Sequence, residues 1–567
     1  MSDGQQNRLT SNEYADIMVR YNNDLNLLTG YDPNESYTII NSTYGLVHIP
    51  VDIFKKEAFN QFTWFNIQKC YGLLEASSLE ASGIMKIQNV PNLGFFGSGI
   101  LVGFIDTGIE YTNPVFLNAD KTTRIVSIWD QNIESSDSVS EEVPYGTVYT
   151  REQINKALSS DNPLEIVPST DENGHGTMLA GITAGTRSEK DDFYGIVPNA
   201  EIAVVKLKPA KDYLKEFYLI PKEADCYQAS DIMFAMKYLT KLAQIQNKPI
   251  AICIVIGTSS GLHDGEGALS DSISYYADSP GTVVVIAAGN EGNAGSHYYG
   301  TIDRKVGYDT VELNVGKNVS GFSMELWGFI PNLYSVEITS PSGETISRIQ
   351  ARINEKREIN FLFENTVLFI NYVLFEVSTG NQLIFFRFVN PVEGIWKLRV
   401  YGSGNIIMNY NIWLPIRNFI SSDTRFLNSN PDTTITSPGN ALIPITVTAY
   451  NHQTGTAYID ASRGYTGVNL IKPDFAAPGV NVYSPSLKNT FQYSTGTSVA
   501  AAHTTGVAAM LLEWGIVKNN LPTMSSLEAK NLLIRGARRD PTISYPNKQW
   551  GYGILDLYNT YLSFQVE

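Results

Sequence analysis

The chain has 567 residues, of which 43% are hydrophobic, with a formal charge of −16 and a pI near 5.0. That length implies two to four domains, and that much apolar content excludes a disordered chain. The acidic balance argues against nucleic acid or an anionic membrane as the main partner.

The N-terminus, "MSDGQQNRLTSNEY", is polar and lacks the apolar core of a secretory signal. No run approaches the ~20 apolar residues of a membrane span. The expectation is cytoplasmic synthesis with no membrane partner. Three cysteines, Cys70, Cys226 and Cys253, are too few for a disulfide framework. Cys253, inside "AICIVIG", reads as a small buried hydrophobe.

Residues 1–66 form a first small α/β unit. In it "ESYTIINSTYGLVHIP" predicts a hairpin and "VDIFKKEAFNQF" a short helix. Four β-branched runs follow, "ILVGFID" (100–106), "EIAVVKL" (201–207), "IAICIVIG" (250–257) and "TVVVIAAGN" (282–290). Apolar at consecutive positions, they read as parallel strands covered on both faces. The segments "GHGTMLAGITAG" (174–185) and "ASDIMFAMKYLTKLAQIQ" (229–246) read as helices between them. Strand and helix alternation predicts a doubly wound α/β fold with a parallel sheet.

Near residue 303 the texture changes. Alternating strands such as "FSMELWG", "LIFFRFV" and "GIWKLRVYG", with no helical pattern, predict a β-sandwich inserted over 303–420. The α/β texture resumes with "ALIPITVTAYN" and "KPDFAAPGVNVYSP" and runs through 421–567. The α/β domain is thus split into 67–302 and 421–567.

Four residues carry candidate chemistry. Asp106 ends the run "FIDTGIE", and functional groups gather at the carboxyl ends of strands in open α/β sheets. Read alone, it is an ordinary turn residue. His175 sits between two glycines in "DENGHGTMLAG", where no side chain crowds the ring, although a lone His there is by default a solvated loop residue. Asn290 ends "VVVIAAGN", as a turn residue or as an amide aimed at a developing oxyanion. Ser498, in "STGTSVAAAH", is either a polar residue at a helix start or a nucleophile beside free N–H groups.

Together these pieces outweigh their parts. The chain order Asp, His, Ser is that of subtilisin and of neither α/β-hydrolases nor chymotrypsin. Through "FIDTGIE", "NGHGTMLAG", "AAGNEG", "KPDFAAPGV" and "GTSVAAAHTTGVAA" the sequence resembles the subtilase family of serine endopeptidases over about 80–300 and 430–560. The resemblance implies a Ser498–His175–Asp106 triad, with Asn290 as an oxyanion donor. It also implies substrate binding along Gly257 and Thr258 and along Ala287, Ala288 and Gly289, with a protein or peptide as substrate. The sandwich insert resembles a jelly roll found in the clostridial Csp proteases of spore germination. That resemblance implies residues 1–66 are a prodomain bound in the enzyme's own cleft. It further implies self-cleavage, expected between Gln61 and Cys70, and a spore-associated role cutting the precursor of a cortex hydrolase.

Two departures stand out. Ala502 replaces the family's usual proline in the serine helix, with little expected effect. The loop "TRSEKDDFYGIVPNA" is shorter than in calcium-binding relatives, so no cofactor is expected, and Asp191 and Asp192 read as a solvated pair. His48, His263, His297 and His452 lie in separate contexts without zinc-ligand spacing, and His503 reads as a packing residue. Two rival readings stay open. One is a silent pseudoprotease or regulatory binding protein with its prodomain retained. The other is a binding module in which the sandwich is the working part, against its simply packing on the protease through "FSMELWGF" and "NYVLFEV".

Overall fold

The structure is a computed structural model describing residues 8–30, 37–73, 82–88, 94–134, 143–188, 190–191, 193–353 and 355–565. Its centre is a nine-stranded sheet running Thr147–Thr150, Ile125–Asp130, Glu201–Lys206, Leu101–Asp106, Ile250–Ile254, Thr282–Ala287, Ile445–Asn451 and Thr456–Ala457, with Phe475–Pro478 also paired to Ile445–Asn451. The strands from Ile125 to Phe475 pair in parallel, and only Thr147–Thr150 and Thr456–Ala457 are antiparallel. The expected doubly wound fold is therefore observed.

The pleat explains the unbroken apolar runs. Successive side chains point to opposite faces, and both faces are covered. Val102 and Phe104 enter one core with the helices His175–Ala184 and Thr497–Leu512. Leu101 and Ile105 enter the other with Ala229–Ile245 and Ala268–Ala277. The helix that carries Ser498 continues through one π-turn, Glu513–Val517. This continuous helix, Thr497–Val517, has 21 residues and a mean hydropathy of 1.2, so by length and composition it could cross a membrane. The sequence pattern does not show this, because Ser, Thr and His interrupt the apolar run. It is almost wholly buried and serves as the central core helix of this domain.

The inserted sandwich is wider than 303–420. Its first strand, His297–Thr301, pairs with Asn409–Trp413, and Arg425–Phe426 closes the opposite sheet against Tyr308–Val315. The two antiparallel sheets, of six and five strands, enclose one apolar core that includes Trp396, Phe386 and Phe388.

The N-terminal domain is a three-stranded antiparallel sheet, with Tyr44–Pro50 between Tyr14–Arg20 and Tyr37–Ile39, and the helix Val51–Gln61. Tyr37–Ile39 and Tyr44–Pro50 are the expected hairpin; Tyr14–Arg20 is a third strand that the sequence reading does not include. Aromatic side chains from all three domains meet in one cluster. Phe385 of the sandwich lies 5.0 Å from Trp64 of the N-terminal domain and stacks on Phe217 of the α/β domain at 5.5 Å, ring centroid to centroid. Trp327 and Val373 join it, while Phe322, Met324, Leu326 and Tyr372 of "FSMELWGF" and "NYVLFEV" fill the sandwich's own core and Phe375 and Val377 are exposed. The docking is polar at one deeply buried point. Asp16, fully covered, accepts from Lys211 Nζ at 2.9 Å and lies 2.7 Å from His48 Nδ1. Burial raises the Asp16 pKa, but Lys211 and His48 more than offset this and hold the carboxyl well below the usual range.

Candidate active site

Three neighbouring parallel strands deliver the site. Leu101–Asp106 ends on Asp106, Ile250–Ile254 runs on into Ile256–Gly257, and Thr282–Ala287 leads through Ala288 and Gly289 to Asn290. All three project from the carboxyl edge of the sheet, where a doubly wound fold places its ligands.

His175 opens its helix after Gly174, which is left-handed at φ +85°. Its Nδ1 lies 2.8 Å from Oδ1 and 3.0 Å from Oδ2 of Asp106. Asp106 is fully buried and His175 only 8% exposed, so little water competes for this contact. An ionised carboxylate only accepts, so Nδ1 carries the proton and Nε2 is left with its lone pair for another proton. Thr107 N–H donates to Asp106 Oδ1 at 2.8 Å and fixes the carboxylate's plane.

The imidazole is aimed by a residue that the sequence reading leaves without a role, Asp171. Its Oδ1 accepts from Gly174 N–H at 2.8 Å and from the Thr107 hydroxyl at 2.8 Å. Its Oδ2 accepts from Thr177 N–H at 2.8 Å and from the Thr177 hydroxyl at 2.7 Å. One buried carboxylate thus ties the strand that carries Asp106 to the first turn of the histidine helix. The available signal was an acid four residues ahead of the helical His, in a position to collect free N–H groups.

Ser498 is the second residue of the helix Thr497–Leu512 and is fully buried. Among the described residues its Oγ has no hydrogen-bond partner. Catalytic hydrogen bonds are often long without substrate and tighten when it binds. The neighbouring Thr497 instead orients Asn290: the Asn290 Oδ1 accepts from Thr497 N–H at 3.1 Å and from the Thr497 hydroxyl at 3.2 Å. With its oxygen so engaged, the amide's other end, Nδ2, is free to act as a donor. Thr497 Oγ1 also receives Gly289 N–H at 3.2 Å, which fixes the turn before Asn290.

The expected substrate-binding residues divide. Ile256 and Gly257 form a two-residue strand whose antiparallel partner is the chain's own segment Cys70–Leu73, with Gly257 opposite Gly72. The same segment pairs on its other edge with Tyr227–Gln228, making a three-stranded sheet with Cys70–Leu73 in the middle. Thr258 departs from expectation. Its N–H and C=O both pair with Ser437 at 2.9 Å, so its backbone braces the site and has no edge left to offer a peptide. Ala287 and Ala288 are fully buried, and the Ala288 carbonyl accepts from Thr436 N–H at 3.0 Å. Ala287, Ala288 and Gly289 thus support Asn290 from below.

Other expectations fare variously. His503 is hydrogen-bonded to Ser82 and is buried, apart from the Asp106–His175 pair. His263 and His297, expected in separate contexts, meet instead on opposite domains and stack on Trp413, with centroids 4.3 and 4.9 Å away. The sequence could not show this, because the 33 intervening positions hide a domain border. Asp191 accepts from Ser188 Oγ at 2.6 Å, and Asp192 lies outside the described residues. Among the described residues no group of three or more His, Cys, Asp and Glu side chains is placed to hold a metal.

Comparison with known proteins agrees with this geometry. The subtilase family matches residues 97–308 and 328–553, well over half of the chain. The fold is similar to that of the CspB protease of Clostridium perfringens, with a TM-score of 0.76 at 30% identity, covering 86% of this chain and 98% of that one. In sequence the chain is 22% identical over 485 residues to the subtilisin-like protease SBT3 of Solanum lycopersicum, covering 77% of this chain and 58% of that protein. It is 24% identical over 289 residues to a subtilisin of Bacillus sp. (strain TA39), covering 49% of this chain and 57% of that protein. It therefore spans less than two thirds of the length of these curated relatives. On the family match the chain belongs to the subtilase family.

Proposed function

We propose that this chain is a serine endopeptidase that cuts extended polypeptides, its own N-terminal segment first. The observation that carries the reading is the Asp106–His175 contact at 2.8 Å, which leaves Nε2 as the base. A serine hydroxyl is a weak nucleophile without such a base. His175 takes the proton from Ser498 Oγ as Oγ attacks the substrate's carbonyl carbon. The oxyanion formed receives N–H bonds from Asn290 Nδ2 and from the backbone at Ser498, at the positive end of its helix. His175 then gives the proton to the leaving amine. Water repeats the sequence on the acyl-enzyme, and Asp106 stabilises the imidazolium in both halves.

The substrate form is argued from Cys70–Leu73. An extended strand held on both edges, above the carboxyl ends of the strands that carry Asp106 and Asn290, is what a bound peptide would look like. Residues 62–70, where self-cleavage was expected, are packed, with Phe62, Trp64 and Ile67 each at most 5% exposed. This supports a cut beyond Leu73, in a stretch outside the described residues, with the inhibitory segment extending through the strand Cys70–Leu73.

The inserted sandwich and the likeness to CspB support a narrower reading: a Csp-type, spore-associated protease whose substrate is the inactive precursor of a cortex-degrading hydrolase. A second reading has its own support. The N-terminal domain is docked with a strand in the cleft and Ser498 is wholly covered, so a retained domain would leave a stable binding protein. One experiment separates the two. Wild type and Ser498→Ala are expressed whole, weighed by mass spectrometry and treated with a fluorophosphonate probe. A cut beyond Leu73 and labelling in wild type alone are expected. Unlabelled, uncut wild type would overturn the enzyme reading.

A further inference from the structure

The residue just before the cleft strand is Lys69, and its surroundings are built. Its ammonium lies 3.3 Å from the centre of the Trp64 ring and donates to the Trp64 carbonyl at 3.3 Å. It borders a cavity of about 90 Å³ at the meeting point of the three domains. The N-terminal segment supplies one wall, the protease loop from Ser260 to Ser270 a second, and Trp327 and Glu376 of the sandwich a third.

We propose that the sandwich carboxylates Glu325 and Glu376 form an extended substrate subsite for a basic side chain, and that Lys69 is the chain's own occupant of it. This rests on the reading that Cys70–Leu73 lies as a substrate does. The residue recognised stands three positions before the one opposite Gly257, so the preferred substrates are polypeptides with Lys or Arg there. Both carboxylates are fixed before any substrate arrives. Glu325 Oε2 accepts from Gly261 N–H at 2.8 Å and from Trp327 Nε1 at 2.9 Å. Glu376 Oε2 accepts from Ser378 and Thr379 N–H, each at 3.0 Å. They are 4% and 5% exposed. Asp264 and Glu266 line the same cavity and add to its negative field. Burial presses the Lys69 pKa down to about 7, while Glu325 and Glu376 act to raise it. Glu376 lines the cavity with Lys69, and Glu325 stands behind its wall, bonded to the lining residues Gly261 and Trp327; carboxylates so placed recognise charge without a rigid contact, so Lys and Arg both suit them.

The test uses the whole chain and reads the rate of self-cleavage by mass spectrometry. Lys69→Glu is expected to slow the cut by about tenfold or more, and the swap Lys69→Glu with Glu376→Lys to recover most of the rate. Glu325→Gln with Glu376→Gln keeps an oxygen for each N–H and removes only charge. It should slow the cut with an unchanged melting temperature, so loss of folding cannot imitate the effect. Self-cleavage at the wild-type rate in Lys69→Glu, or no recovery in the swap, would overturn the subsite alone. Wild type that neither cuts nor takes the fluorophosphonate would overturn the protease reading beneath it.

Discussion

Asp171 decides how well His175 is aimed. Each of its oxygens receives two contacts, from Gly174, Thr107 and Thr177, and the residue is 5% exposed. In Asp171→Asn one oxygen becomes an NH₂ facing N–H or O–H donors, so at least one buried donor loses its acceptor. The cost is about 1–3 kcal/mol of stability. The larger effect is on chemistry, because the imidazole is held through this residue. The expected result is a kcat lower by about tenfold or more with KM little changed, since Asp171 positions the base and does not touch substrate. Equal melting temperature and kcat in wild type and variant would remove Asp171 from the mechanism. Asn290→Ala acts differently. Removing one oxyanion donor costs about 10²–10³ in kcat in subtilisin, the source of that figure, and the same order is expected here with the melt unchanged.

Between the strand of Asp106 and the helix of His175, the spacing is set by two glycines. A Cβ on Gly176 would sit 2.2 Å from the Gly108 carbonyl oxygen, inside any allowed contact. Gly108 itself has φ +125°, and a Cβ there would meet the Thr170 carbonyl at 2.7 Å. Gly176→Ala must therefore push helix and strand apart by several tenths of an ångström. The expected outcome is a destabilisation of about 1–3 kcal/mol together with a fall in hydrolysis greater than the stability loss explains. Full activity at a temperature well below the melt would show that this contact does not set the geometry. Such glycines also explain why the site was legible in sequence. The motifs "DTG" and "GHGT" record the close backbone approaches of Gly108 and Gly176. The buried parallel strands were legible for a related reason, since covering both faces forces consecutive apolar residues. The strand Tyr14–Arg20 was harder to find, because "YADIMVR" buries an aspartate whose partner, Lys211, lies 195 positions away. The role of Cys70–Leu73 was hidden too. Four residues carry no period, and their partners Tyr227–Gln228 and Ile256–Gly257 are distant in sequence.

Across the whole molecule, the seam between the α/β domain and the sandwich runs close to Asn290, the proposed oxyanion donor. Trp413 of the sandwich is stacked between His263 and His297, and Glu291, the residue after Asn290, reaches the turn at Arg417. Glu291 is 3% exposed, and among the described residues its oxygens accept only from the Arg417 backbone N–H, at 3.3 and 3.4 Å, while the Arg417 guanidinium pairs with Asp460 at 2.8 Å. Burial with so weak a partner pushes the Glu291 pKa from 4.5 up to about 7, against the lowering effect of Arg417. The sign follows by linkage. Between the unfolded value of 4.5 and the folded value of about 7, the native state holds a proton that the unfolded chain has lost. Raising the pH through that window therefore weakens the fold, by an amount on the order of 3 kcal/mol once the window is passed. Glu291→Gln keeps an acceptor for the Arg417 N–H and cannot ionise. Denaturant melts at pH 5 and pH 8 are thus expected to show the variant gaining on wild type as pH rises, with the gain complete near pH 8. Parallel curves for the two proteins would mean that Glu291 is charged in the fold throughout, with water or a moved Arg417 side chain reaching it. The same measurement on Ser498→Ala prevents self-cleavage from being mistaken for unfolding. If the gain persists there, the joint beside Asn290 is loosest in alkaline solution, and the sandwich holds the oxyanion side of the cleft most firmly when Glu291 is neutral.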